Sequence, residues 1–306
     1  MEKVLVIGGA GFIGTALSKK LKDLKYKVDI ADLKSKFKHQ HKEFGCIGFD
    51  VRDYSSFSLF DREHYTHVYN LAAQTSGLVS QEEPEVDVDT NLKGTFNCYR
   101  YFKDKGISNF IYTSSMAVYG DSNIAINEEH DLNPKSNYGL SKLASEVYVK
   151  ALADCGVNYT IARLFNVYGP GQDFSNLKQG MLSIFLAQAI QKEKIKITGS
   201  LDRYRDFVFI DDVVDFLISP LAESCLRNDV FNVGTGRKTT VKELVEGIVE
   251  KLQRDILYTD IGGHEGDQFG TYASIEKAQK VSSWFPKTSL EKGLDITIAH
   301  AKEVIK

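Results

Sequence analysis

Cysteine is scarce in this chain: four among 306 residues, at Cys46, Cys98, Cys155 and Cys225, with no close pair. Such scattered thiols build neither a disulfide frame nor a zinc site, so reduced cysteines in a cytoplasmic protein and no bound metal are expected. Long apolar runs are missing too, which argues against a membrane span. An excess of either charge is absent: Lys+Arg 38 against Asp+Glu 41 leave a formal net charge of -3. That balance gives no reason to expect nucleic acid or an acidic membrane surface as a partner. There is no internal repeat and no low-complexity linker. The first strand pattern starts at residue 3 or 4, which leaves no room for a signal peptide.

What is present begins at once. Val4 to Ile7 is an unbroken apolar run, the pattern of a strand buried on both faces of a parallel sheet. Gly8, Gly11 and Gly14 follow, and Ile13, Ala16, Leu17, Leu21 and Leu24 then recur at helical spacing. Strand, glycine turn and helix in that order suit the pyrophosphate of a dinucleotide. Gly8 permits the tight turn, Gly11 lets backbone approach phosphate, and Gly14 lets helix and strand pack closely. A second strand pattern, Val28 to Asp32, ends in a carboxylate placed to grip a ribose 2′-hydroxyl. Asp32 would repel a 2′-phosphate, which favours NAD over NADP. Lys34 and Lys36 lie close enough to weaken that preference, although solvated lysines are the plainer account.

Strand and helix patterns then alternate, which predicts an α/β fold: a doubly wound parallel sheet with helices on both faces. Ile47–Asp50 reads as a third strand, with Asp50 and Val51 at its carboxyl end. His67–Ala73 reads as a fourth, and Ala72 and Ala73 are small enough for a cofactor to lie against the backbone; plain core packing explains them equally well. A helix is expected over 87–102, a fifth strand over Phe110–Ser115, a long helix over 136–154 and a sixth strand over Tyr159–Leu164. On the long helix Leu140, Leu143, Ala144, Val147 and Ala151 share a face. From Asn166 the alternation becomes irregular. Residues 1–165 read as a nucleotide-binding domain and 166–306 as mostly a smaller mixed lobe. The chain is expected to cross back to the sheet near 207–218 and 230–235. Thr240 and Glu243 have capping-box spacing, and Gly262, Gly263 and Gly266 predict a mobile loop.

Tyr138 and Lys142 stand four residues apart on the long helix, so they share a face. An ammonium near a phenol lowers its pKa, and a positive nicotinamide would lower it further. Such a pair is more often solvated surface, but a serine at the end of the fifth strand adds weight. Strand alternation allows only one of Ser114 and Ser115 into the site.

Together these stretches resemble the NAD-dependent epimerase/dehydratase family, extended short-chain dehydrogenase/reductases that act on nucleotide sugars. The matching segments include Gly8–Gly14, Leu71–Gln74, Ser115–Gly120, Tyr138–Lys142, Arg163–Pro170, Arg205–Asp212 and Gly266–Asp267. The resemblance implies a Rossmann-type fold and a nucleotide-sugar epimerase, most readily inverting C4 through a 4-keto sugar with NAD as cofactor. It implies Tyr138 as general base and acid, Lys142 as its pKa partner and a ribose ligand, and Ser115 as the hydroxyl that aids proton transfer. Gly8, Gly11, Phe12, Ile13, Gly14, Asp32, Asp50, Val51, Leu71, Ala72 and Ala73 would line the NAD site. Asn166, Arg205 and, in the place of an arginine usual in the epimerases, His264 would meet the diphosphate. It also implies a homodimer built on helices 87–103 and 138–154, with Phe96, Tyr99, Val147 and Val149 supplying apolar surface. One departure bears on the reaction. The family's dehydratases and decarboxylases carry an acid where this chain has Ala117, preceded by Met116, and neither can carry a proton. A dehydratase, decarboxylase or reductase of the same family remains the alternative, and an NAD-sensing binding protein a further one.

Overall fold

The computed structural model describes residues 2–260, 262 and 269–305. Its centre is a parallel sheet of seven strands: β1 (Lys3–Ile7), β2 (Lys27–Asp32), β3 (Gly45–Gly48), β4 (His67–Asn70), β5 (Asn109–Ser115), β6 (Asn158–Leu164) and the strand Asp229–Val233. The spatial order is Asp229–Val233, β6, β5, β4, β1, β2, β3. The chain therefore winds one way from β1 to β3 and the other way from β4 onward. Ligands of open α/β sheets sit at such a reversal, beyond the carboxyl ends of the strands. Here that point lies between β1 and β4, where Ile7 is in register with Asn70.

Apolar side chains fill both faces of the sheet, as a parallel sheet requires. One side packs Val4, Val6, Leu17, Ile30 and Ile111 among others, and the other packs Leu5, Ile7, Val68, Phe110 and Ile161. Phe49, Phe57, Phe60, Tyr101 and Phe102 form an aromatic cluster on the second side, with ring centroids 4.9 to 6.3 Å apart.

Some boundaries differ from the expected ones. The third strand runs two residues earlier, because β3 pairs Gly45–Gly48 with Asp29–Asp32 of β2. The fourth stops at Asn70: the Leu71 N–H still donates to the Ile7 carbonyl at 2.9 Å, but β1 then turns at Gly8 and offers no ladder to Ala72 and Ala73. The expected helix over 87–102 is interrupted: Pro84–Asp87 passes through a π-turn at Val88–Lys93 into the helix Gly94–Phe102.

Beyond β6 the second half is mixed. Phe207–Phe209 pairs with Asn166–Tyr168, Tyr204–Arg205 with Thr239–Thr240, and Leu257–Asp260 with Lys194–Ile197. Asp229–Val233 returns to the main sheet beside β6. Thr240 and Glu243 close their reciprocal box, with Glu243 N–H donating to Thr240 Oγ1 at 3.1 Å and Thr240 N–H to Glu243 Oε2 at 2.7 Å. Among the described residues all four cysteines are free, no cluster of acid, histidine or thiol groups is arranged to hold a metal, and no helix is long and apolar enough to cross a membrane.

Candidate active site

The glycine turn leaves β1 at Gly8, where φ is +81°. A Cβ there would lie 2.6 Å from the Ala72 nitrogen, so the turn and the segment after β4 are in close contact. A Cβ at Gly14 would come within 2.2 Å of the Gly8 carbonyl oxygen. Both glycines are thus demanded by the fold itself. Gly11 is different: an added Cβ would meet only the Gly8 oxygen, at 3.3 Å. Its lack of a side chain matters toward the open side, where a phosphate would approach. Gly11 is also the N-cap of the helix Phe12–Asp23, and no side chain caps that end. The first-turn N–H groups of Phe12, Ile13 and Gly14 carry the positive end of the helix dipole.

Asp32 closes β2 beside this turn. Its carboxylate accepts the Ala10 N–H at 3.0 Å and the Leu33 N–H at 2.8 Å. Burial raises its pKa, and those two hydrogen bonds, with Lys36 and His41, oppose the rise. The acid and the glycine turn are therefore one hydrogen-bonded unit. This cradle fits a dinucleotide: backbone N–H groups for the pyrophosphate and a fixed carboxylate for the ribose. Val51 is buried against Gly94. Asp50 is engaged, accepting from Arg52 Nε at 2.9 Å and Nη2 at 2.7 Å. Arg52 holds the Asp50 carboxyl below its usual range. Leu71, Ala72 and Ala73 are half-buried along the floor of the turn.

The helix Asn137–Lys150 begins at Ser136, whose hydroxyl accepts the Gly139 N–H at 3.1 Å. That cap sets Tyr138 in the first turn, and its N–H is bonded to Ser80 Oγ at 2.9 Å. Ser115, at the end of β5, is the side chain that favours ionisation of the Tyr138 phenol. Ser114 points the other way and donates to Glu146 at 2.6 Å. Strand alternation thus puts Ser115 beside Tyr138 and Ser114 in the core. Burial pushes the Tyr138 phenol up to about 12, with Ser115 opposing and Asp87 adding to the rise.

Lys142 reaches back to the sheet. Its ammonium donates to the Thr113 carbonyl at 2.7 Å and lies 4.6 Å from the centroid of the Tyr112 ring. Burial pulls Lys142 down to about 7, against the pull of Glu146 and Asp87. Desolvation is the largest influence on the phenol.

Asn166 Nδ2 lies 3.7 Å from Met116 Sδ and 3.3 Å from the Asp206 carbonyl. Arg205 is buried and donates to the Tyr204 carbonyl at 2.7 Å and the Phe269 carbonyl at 3.1 Å. Asn166, Met116 and the Arg205–Asp206 backbone thereby converge beside Ser115. His264, with Gly263 and Gly266 of the expected mobile loop, lies outside the described residues.

Asp87 was not foreseen. It is fully buried and accepts from Gln74 Nε2 at 2.9 Å and Asn91 Nδ2 at 3.2 Å. Asn91 in turn donates to Ser141 Oγ at 3.0 Å. Nothing in local sequence marks Asp87; a π-turn brings it to the helix bearing Tyr138, and π-turns of this kind gather at functional sites.

Comparison with known proteins identifies the family. The NAD dependent epimerase/dehydratase family matches residues 4–234. The chain belongs to that family. It is similar to the crystal structure of UDP-glucose 4-epimerase with UDP-glucose from Thermotoga maritima, with 31% identity, a TM-score of 0.92, and coverage of 99% of this chain and 100% of the other. The UDP-glucose 4-epimerase complex with NAD from Thermus thermophilus gives 28% identity, a TM-score of 0.91 and coverage of 99% and 100%. Among curated relatives, a dTDP-4-dehydro-6-deoxyglucose reductase of Escherichia coli is 29% identical over 302 residues, 95% of each chain.

Proposed function

We propose that this protein epimerises a nucleotide-diphosphate sugar at C4 through a transient 4-keto sugar. The observation that supports this reading is the placement of Tyr138 in the first turn of the helix capped by Ser136 and of Ser115 at the carboxyl end of β5, with Ser114 turned away to Glu146. Both stand at the carboxyl end of the sheet that carries the glycine cradle, and Met116 and Ala117, which follow Ser115, cannot move a proton.

The roles follow from the groups. Tyr138 takes the C4 hydroxyl proton and returns it, while Ser115 shares that proton. Gly8, Gly11, Phe12, Ile13, Gly14, Asp32, Asp50, Val51, Leu71, Ala72 and Ala73 line the cofactor site, and Lys142 binds the ribose nearer the reaction. When bound, NAD supplies the acceptor and donor of hydride at C4. Its positive ring would also bring the raised Tyr138 phenol toward working pH. Asn166, Arg205 and His264 hold the diphosphate, which leaves the sugar free to turn and expose its other face. Residues 1–165 form the NAD half and 166–306 mostly the sugar-nucleotide half.

A homodimer through the helices Gly94–Phe102 and Asn137–Lys150 belongs to the same reading. Val147 and Leu140 are 64% and 53% exposed, and Phe96 is exposed nearby with its ring 5.0 Å from Tyr148. The shared face of Leu140 and Val147 therefore points out, not into the core. Val149 does not contribute, since it is fully buried against the sheet. The four free thiols suit a cytoplasmic protein.

A second reading, a reductase or dehydratase, is favoured by the similarity to the Escherichia coli reductase. A panel of UDP-, GDP-, dTDP- and CDP-sugars, followed by NMR and mass spectrometry, separates the two. Inversion at unchanged mass supports the epimerase. A product lighter by water, or differing by two hydrogens, supports the second reading.

A further inference from the structure

The segment after β2, Leu33 to Gln40, is exposed except at the half-buried Phe37, and it ends on a fully buried side chain, His41. Both ring nitrogens of His41 are engaged. The Lys38 N–H donates to Nδ1 at 2.9 Å. An imidazole nitrogen that accepts carries no proton, so the ring is neutral and its hydrogen sits on Nε2. Nε2 lies 3.0 Å from Thr15 Oγ1 and therefore donates to it. The Phe37 ring stands edge-on, its centroid 6.1 Å away. The His41 carbonyl is held as well, by the Cys46 thiol and the Phe44 N–H, each at 3.1 Å.

Thr15 belongs to the cradle. It stands in the first turn of the helix Phe12–Asp23, and its N–H donates to the Gly11 carbonyl at 2.9 Å. At its other end the segment leaves Asp32, whose carboxylate takes the Ala10 and Leu33 N–H groups. Residues 33–41 are thus fixed twice to the glycine turn. One tie is the acid placed for the ribose, and the other is the helix turn placed for the pyrophosphate.

We propose that His41 is a positioning residue for the dinucleotide: its neutral ring ties residues 33–41 to the glycine cradle, and protonation of the ring breaks that tie and weakens NAD binding. This rests on the cofactor placement in the proposed site. A protonated ring has two N–H groups and no acceptor, so the Lys38 N–H would face a second donor. A buried donor left without a partner is costly. The charged groups that act on the ring are Asp32 at the end of β2, Lys38 on its own segment and Lys19 on the helix Phe12–Asp23. Burial is the largest influence and disfavours the cation; Asp32 favours it, and Lys38 and Lys19 oppose it. The balance holds the ring below its usual range. Affinity is therefore fully present above the midpoint of the free ring and is lost as pH falls through it. A histidine that only packs predicts otherwise, since NAD affinity would not follow its titration.

The test pairs two measurements on the full-length protein. Long-range proton–nitrogen NMR with isotope-labelled histidine follows the His41 ring, assigned by its loss in His41→Asn. Calorimetry gives the NAD dissociation constant at each pH, with ionic strength fixed and the fold checked by circular dichroism. The expected spectrum near neutrality is a neutral ring with its proton on Nε2. The expected affinity is flat above about pH 6.5 and falls below the measured His41 midpoint by up to about tenfold per pH unit. The amide oxygen of His41→Asn can accept the Lys38 N–H and cannot titrate. That variant should bind NAD about tenfold more weakly or less near neutrality, for the lost Thr15 bond, and show no further loss in acid. His41→Leu, which has no acceptor, should bind more weakly than His41→Asn. Affinity that stays flat while the wild-type ring titrates overturns the proposal. So does a ring with its proton on Nδ1, a ring that stays neutral until the fold is lost, or an equal acid loss in folded His41→Asn. Affinity that tracks the ring in a protein that leaves every nucleotide sugar unchanged supports the proposal and removes the epimerase reading instead.

Discussion

Lys142 Nζ lies 2.7 Å from the Thr113 carbonyl oxygen. The lysine is thereby anchored to the end of β5, two residues before Ser115, and not to the phenol that shares its helix face. Lys142 thus spans the gap between helix and sheet.

That anchoring has a cost that depends on pH. Lys142 falls from 10.5 to about 7 on folding. Between those values the unfolded chain binds more protons, so stability rises with pH. The penalty is fully present below the folded value and has vanished above the unfolded one. Lys142→Met should therefore unfold at higher denaturant than wild type near neutrality, by roughly a few kcal/mol. The advantage should shrink toward about pH 10, as the linkage requires. Denaturant titrations at several pH values check this, and an advantage that grows with pH would refute it.

Tyr138→Phe should keep fold and NAD binding, because the ring is retained. Turnover should fall by about 10²–10⁴-fold, the usual worth of a positioned acid or base. Ser115→Ala should cost less, since Tyr138 remains. Near wild-type turnover by Tyr138→Phe would remove it from the chemistry.

Asp32 is held by Ala10 and Leu33, and in the proposed site its charge faces the cofactor ribose. NAD should therefore bind the apo-protein more tightly than NADP, and Asp32→Ser should narrow that gap. Calorimetry with both cofactors decides it, and tighter NADP binding by wild type would contradict the assignment.

Val147→Asp places a charge on the exposed apolar face of the helix Asn137–Lys150. Wild type should sediment as a dimer at micromolar concentration and the variant as a monomer of unchanged fold. A wild-type monomer would count against the bundle.

Much of this was legible because the signals were local. Val4–Ile7, the glycines and Asp32 sit within one βαβ stretch, where spacing alone sets geometry. The choice between Ser114 and Ser115 needed the tertiary position of Glu146, which lies 32 residues from Ser114. The inward face of the helix Asn137–Lys150 was misleading for a physical reason. It buries Ser141, Lys142, Ser145 and Glu146 against polar partners, while Leu140 and Val147 face out. A hydrophobicity pattern assigns such a helix the wrong way round. Asp87 carries no local mark: it ends the short helix Pro84–Asp87, directly before the π-turn.

In the proposed reaction C4 is oxidised and then reduced within one binding event, with Tyr138 handling the proton. The direct measurement uses UDP-glucose carrying deuterium at C4, incubated with the purified protein and followed by NMR. The expected product is UDP-galactose with deuterium still on C4, none in the solvent and no net change in NAD redox state. Deuterium lost to water, or accumulation of a keto product with reduced cofactor, would contradict it.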